Sequence, residues 1–146
     1  MESELFEEIQ TFFQEAGEAA CYALCIAKIA ERITGCFNNP LDSLLYGISR
    51  KFIYYNWDNP DDPDNFYVKD PEKFLGLLTG KLAMVRKTDD VNYRPASNEY
   101  IVERWERPTP KMVYSHFRLS DWDSLHNSQT VKYGKLVSLR VFRLAA

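Results

Sequence analysis

The sequence predicts an α+β domain in which a helical first half precedes an antiparallel sheet. Apolar residues recur at helical spacing through about residue 80, and from Lys81 onward the period changes to two. The order of elements is the further observation: helices come first and strands after, without the βαβ alternation of a doubly wound sheet. A chain of 146 residues is sized for one domain, 1–146, helical over about 1–80 and strand-forming over about 81–146.

Leu5, Ile9, Phe12 and Phe13 share one face of a first helix over 3–15, with Glu4, Glu7, Glu8 and Gln10 on the other and Ser3 as N-cap. Gly17 allows a turn into the stretch 17–35. Its Ala, Leu, Ile, Lys, Glu and Arg content and its closing Gly35 predict a helix of about four turns. Asn39 as N-cap and Pro40 as first helical residue open a third helix over 41–55, with Leu41, Leu44, Leu45, Ile48, Phe52 and Ile53 as its buried stripe. Residues 57–65 form a polar, Pro-punctuated acidic loop that lacks the mid-loop Gly and terminal Glu of a helix-loop-helix calcium site. Asp70-Pro71-Glu72 starts a short helix to about residue 78, which Thr79-Gly80 ends.

Strands are predicted at 82–87, 100–106, 112–119 and 136–144, each alternating apolar with polar residues. Turns fall at Arg94-Pro95, Arg107-Pro108-Thr109-Pro110 and Tyr133-Gly134.

Hydrophobic residues make up 45% of the chain, with nine Tyr, nine Phe and three Trp, which excludes intrinsic disorder. A net charge of −3 leaves no electrostatic footprint for nucleic acid, so no nucleic-acid partner is expected. The acidic N-terminus is unlike a signal peptide, and no run of eighteen apolar residues predicts a membrane span. The three cysteines, Cys21, Cys25 and Cys36, form no CxxC pair, which fits a reduced, cytoplasmic setting. A zinc site from these and a histidine would need ligand spacing the chain does not have. The pattern sets no oligomeric state.

Cys21 falls in the first turn of the helix over 17–35, where free backbone N–H groups and the helix dipole favour an anionic sulfur. Cys25 lies one turn on, on the same face, and reads as core, as does Cys36. Only two histidines exist. His116 sits within a strand, and His126 lies in a polar turn expected to face solvent. Asp123 or Asp121, in Ser120-Asp121-Trp122-Asp123-Ser124, can accept the His116 Nδ1–H and leave Nε2 for the thiol. Asp123 is preferred because Trp122 anchors the backbone beside it. The three side chains are then expected to line one cleft between helices and sheet. The plain alternative is an ordinary core cysteine and a turn with two solvated acids.

A cysteine opening a helix, then a small residue and His-Phe on a strand, then Trp-Asp, resembles the Cys, His, Asp order of papain-like cysteine peptidases. Among these it is most similar to the bacteriocin-leader-processing (double-glycine) peptidases, and the run from Ser128 to Arg143 resembles uncharacterised papain-like proteins of bacteria and prophages. The resemblance implies a papain-like fold, helices packed on a small antiparallel sheet, and a thiol hydrolase acting on a peptide or other amide with no metal or organic cofactor. It implies Cys21 as nucleophile, His116 as base and then acid, Asp123 as its orienter, and Gln14 with the Cys21 N–H as the oxyanion donors. Gln14 stands seven residues before Cys21 where the family has six, no Gly follows Cys21, and Ser124 replaces the expected Pro. These departures keep open the alternative of a degenerate papain-like fold serving as a protein-interaction module.

Overall fold

The computed structural model describes Glu7, Phe12 and residues 19–145. Helix α1, Cys21–Thr34, buries Ala23, Cys25, Ile26, Ala27, Ile29 and Ala30. Full burial of a side chain such as Ile26 or Ile29 is worth about 1.5–3 kcal/mol, more than the intrinsic propensity of any residue in the helix. Gly35 ends it with φ 70°, a left-handed conformation that returns its N–H to the Glu31 carbonyl.

Helix α2, Pro40–Ser49, begins as the Asn-Pro pair predicts, and Asn39 accepts from the Leu41 and Asp42 amides. It ends six residues earlier than the periodicity suggested. Lys51 turns the chain with φ 65°, and the following residues are extended: Ile53 pairs with Val68, while the Tyr54 N–H donates to Tyr67 and the Lys69 N–H to Phe52. Phe52 and Ile53 therefore reach the core from a small hairpin rather than from a helix face, and Leu45 of the expected stripe is exposed. Pairing with 66–69 satisfies backbone groups that a longer helix would have had to bond internally.

The acidic loop closes this hairpin and builds itself from Asn and Asp side chains. Asn56 accepts from Asp58 N–H, Asn59 from Asp61 N–H and Asp62 from Asp64 N–H, each two residues on. Asn65 is buried and anchors both sides, accepting from Asn56 N–H at 2.7 Å and donating to the Asn59 and Pro60 carbonyls. Phe12 is buried against Tyr55, Trp57 and Phe66. Apart from Glu7, the rest of the expected first helix, with Leu5, Ile9 and Phe13, and the Gly17 turn after it lie outside the described residues.

Helix α3, Pro71–Thr79, starts at an Asp70 cap that accepts from Lys73 N–H and stops at Gly80, with φ 73°. Four antiparallel strands follow: β1 Ala83–Thr88, β2 Glu99–Pro108, β3 Val113–Arg118 and β4 Lys135–Leu144. Their spatial order is β1-β4-β2-β3, so β4 enters the middle and β3 forms one edge. A short helix α4, Gln129–Tyr133, capped by Ser128, replaces the simple turn expected before β4. Five residues are too few for a helical period to register. Gly134 is required there: a Cβ would stand 2.2 Å from the Thr130 carbonyl oxygen and 2.3 Å from that of Glu106.

The core joins Ile26, Ile29, Leu44, Ile53, Phe74 and Leu75 of the first half to Val102 and Phe142 of the sheet. Of the strands, β3 is the principal neighbour of α1. The edge strand β3 thus packs against α1, while α3 packs against β1 at the other edge. No helix among the described residues is long and apolar enough to cross a membrane.

Candidate active site

Cys21 is the first residue of α1, half-buried, and its N-cap Ala20 has no side-chain oxygen to occupy the amides of the first turn. Adjacent residues of α1 meet adjacent residues of β3. Tyr22 stacks on Phe117 with ring centroids 4.4 Å apart, and Cys21 lies close enough to His116 to raise the histidine's pKa. The Tyr22–Phe117 stack holds the start of the helix against the strand that carries the histidine.

His116 is 5% exposed. Its Nε2 lies 2.7 Å from Asp123 Oδ1, which leaves Nδ1 as the ring nitrogen for the thiol. The nitrogens are thus exchanged relative to the sequence expectation, because Asp123 comes from the turn that follows β3 and approaches the ring from its Nε2 end. Burial pulls the His116 pKa down. The hydrogen bond and charge of Cys21, and then those of Asp123, more than offset this and raise it above its ordinary value.

Asp123 is held in turn. Its Oδ1 also accepts from Leu125 N–H at 2.9 Å, and the turn before it closes through Leu119 N–H donating to Trp122. Lys28 of α1 lies over the Trp122 ring, 5.6 Å from its centroid. The other candidate, Asp121, pairs with Arg32 of α1 at 2.9 Å, and that guanidinium lowers its pKa. One helix therefore presents Cys21 at its start and, further along, secures the turn that carries Asp123.

No protein-family model matches the chain, and comparisons with curated proteins and with solved structures found no match. The site is accordingly read from its own geometry.

Two clefts among the described residues bear on the expectation that all three side chains line one. Cys21 opens into a cleft of about 500 Å³ bounded by Ala19, Tyr22, the acidic loop from Pro63 to Lys69, and Ser115, Phe117 and Arg140 of the sheet. Among the described residues His116 lies behind this surface, and Asp123 borders a separate cleft with Arg118 and His126. A nucleophile has to meet substrate, whereas a base and its orienter work through hydrogen bonds and are strengthened by exclusion of water.

Cys25 is fully buried, and burial first, then the charges of Cys21, Asp123 and Glu103, push its thiol far up. Cys36 is exposed rather than core, because Gly35 turns the chain away from α1 just before it. His126 is exposed. Gln14, the expected oxyanion donor, lies outside the described residues. Among the described residues no group of three or more His, Cys, Asp or Glu is gathered for a metal ion. Sequence reasoning missed Arg140 and the Tyr22–Phe117 stack; the only signal for either was strand alternation, which puts Ser138, Arg140 and Phe142 on one face.

Proposed function

We propose that this chain is a thiol hydrolase of papain-like architecture, acting on a peptide or other amide bond. The observation that carries the reading is the grouping of Cys21, His116 and Asp123, with His116 Nε2 2.7 Å from Asp123 Oδ1 and Cys21 near enough to the same ring to raise its pKa. A side chain from the start of a helix converges on a strand histidine and a turn carboxylate about a hundred residues further along the chain, where a proton can pass between sulfur and ring. A structural core has no need of that arrangement.

In the proposed reaction the Cys21 sulfur attacks the acyl carbon, its proton having passed to His116 Nδ1. The oxyanion forms beside the uncapped amides at the start of α1, the Cys21 N–H being one donor and Gln14 the expected second. His116 then protonates the leaving nitrogen, the C–N bond breaks, and a thioester remains on Cys21. Water deprotonated by the same ring attacks the thioester, releasing the acid and restoring the thiol. Asp123 keeps the ring oriented and stabilises the imidazolium in both halves.

The second reading is a degenerate papain-like fold that serves as an interaction module. It is favoured by Met112, Val113 and Tyr114, which expose apolar surface at the start of the edge strand. Alkylation by iodoacetamide near pH 6 separates the two, because ordinary thiols are protonated and slow there. The hydrolase reading expects Cys21 to react faster than the more exposed Cys36 and to lose that advantage in His116→Ala. Equal, slow labelling of both cysteines would overturn it in favour of the module.

A further inference from the structure

The cleft into which Cys21 opens also contains a cation, Arg140, that has no carboxylate within ion-pair distance among the described residues. Arg140 of β4 lines it, with its guanidinium over the Phe117 ring, 5.6 Å from the centroid. Phe117 is the ring that Tyr22 stacks on, so the residue next to the nucleophile helps fix the surface that supports the guanidinium. Arg140 Nη1 donates to Ser138 Oγ at 2.9 Å, and a guanidinium has further N–H donors on its other edges.

Among the described residues Arg140 has no carboxylate within ion-pair distance, whereas Arg104 and Arg118 of the neighbouring strands do. Burial, more than any neighbouring charge, lowers the Arg140 pKa, and Tyr22 and then Asp89 act against it, so the guanidinium is a cation held partly out of water. An arriving anion offsets that cost. Among the described residues the other charged ones lining the cleft are Asp64 and Lys69, so two of its described cations face one acid.

We propose that Arg140 binds a carboxylate of the substrate, so that Cys21 attacks a bond next to an acidic group. The planar fork of the guanidinium matches a carboxylate through two parallel hydrogen bonds, which an ammonium cannot supply. The inference rests on Cys21 being the nucleophile and names the substrate class for that site.

The test compares alkylation of Cys21 by iodoacetate, which carries a carboxylate, and by iodoacetamide, its neutral analogue; in both the sulfur–carbon bond forms and iodide leaves. The iodoacetate-to-iodoacetamide rate ratio should be higher at Cys21 than at Cys36, and should fall about tenfold in Arg140→Gln and partly in Arg140→Lys. An unchanged ratio in Arg140→Gln overturns the proposal. Should that variant fail to fold, the wild-type protein decides: N-acetylglutamate must protect Cys21 from iodoacetamide better than N-acetylglutamine does, and equal protection overturns the proposal. Fast, His116-dependent reaction with iodoacetamide but no carboxylate preference rejects Arg140 alone. Loss of the His116 dependence rejects the hydrolase reading beneath it.

Discussion

Residues 56–65 and 119–125 are both turns rich in acidic side chains, yet their acids meet different partners. In the first, Asn56, Asn59 and Asp62 accept from amides two residues ahead, and Asp62 also accepts from the Tyr54 hydroxyl, so the loop is held by bonds within its own hairpin. In the second, Asp121 reaches Arg32 and Asp123 reaches His116, both on other elements. The comparison teaches that an acid in a turn gains a chemical role only when the fold brings it a distant partner. The two turns also meet indirectly, since the first supplies a wall of the cleft that Cys21 opens into.

The largest way to break this contrast is to remove the distant partner. His116→Ala should slow Cys21 alkylation near pH 6 by on the order of 10²-fold, the range of a positioned acid–base group. Asp123→Asn should slow it by roughly 10- to 100-fold, as expected for one hydrogen bond to a charged group. Asp62→Asn, in the loop, should leave the rate within about twofold, as expected for a change made away from the reacting groups. Rates read by mass spectrometry of labelled Cys21 peptides check all three, and a larger effect at Asp62 than at Asp123 would invert the comparison.

Asn65→Ala attacks the loop through its one buried anchor. It leaves the Asn56 amide and two carbonyls without their partner and should lower unfolding free energy by about 1–3 kcal/mol, measured in urea.

The pH dependence sharpens the comparison because the two turns have opposite signs. His116 has a raised pKa, so its contribution to stability is complete below its ordinary value of 6.5 and is lost as pH rises through the folded value. Asp62 has a lowered pKa, set first by the Asp64 amide, so its contribution is present above its ordinary 3.8 and is lost as pH falls through the folded value. Unfolding midpoints should therefore drop on the alkaline side in a His116-dependent manner and on the acid side in an Asp62-dependent one. His116→Gln should flatten the alkaline limb only.

The smallest effect is expected at the partly solvated Arg32–Asp121 pair. Asp121→Asn should change stability by no more than about 1 kcal/mol and leave Cys21 reactivity nearly intact, because an ion pair open to water contributes little. A large loss of reactivity would give that clamp a greater share in positioning Asp123 than its exposure suggests.

The local signals in this chain were strong where one residue type dictates one conformation. Asn39-Pro40, Asp70-Pro71, Gly35 and Gly80 mark helix ends in the sequence, and they mark them in the fold, because caps and left-handed residues act over three or four positions. The four strands were legible within one or two residues from their alternation. The end of α2 was not, since Phe52 and Ile53 continue a helical stripe on paper and are diverted by pairing with residues 66–69. The sequence by itself also determined the short list of chemistry: two histidines, a cysteine at a helix start, and two candidate acids after the strand. Only the tertiary structure chose between the acids, by giving Asp121 to Arg32 and Asp123 to His116. It alone reversed the two ring nitrogens, exposed Cys36, and set Arg140 in the same cleft as Cys21. Each of those depends on the direction from which a distant side chain arrives. A linear pattern carries spacing along the chain, and direction in space appears only when helix and sheet pack.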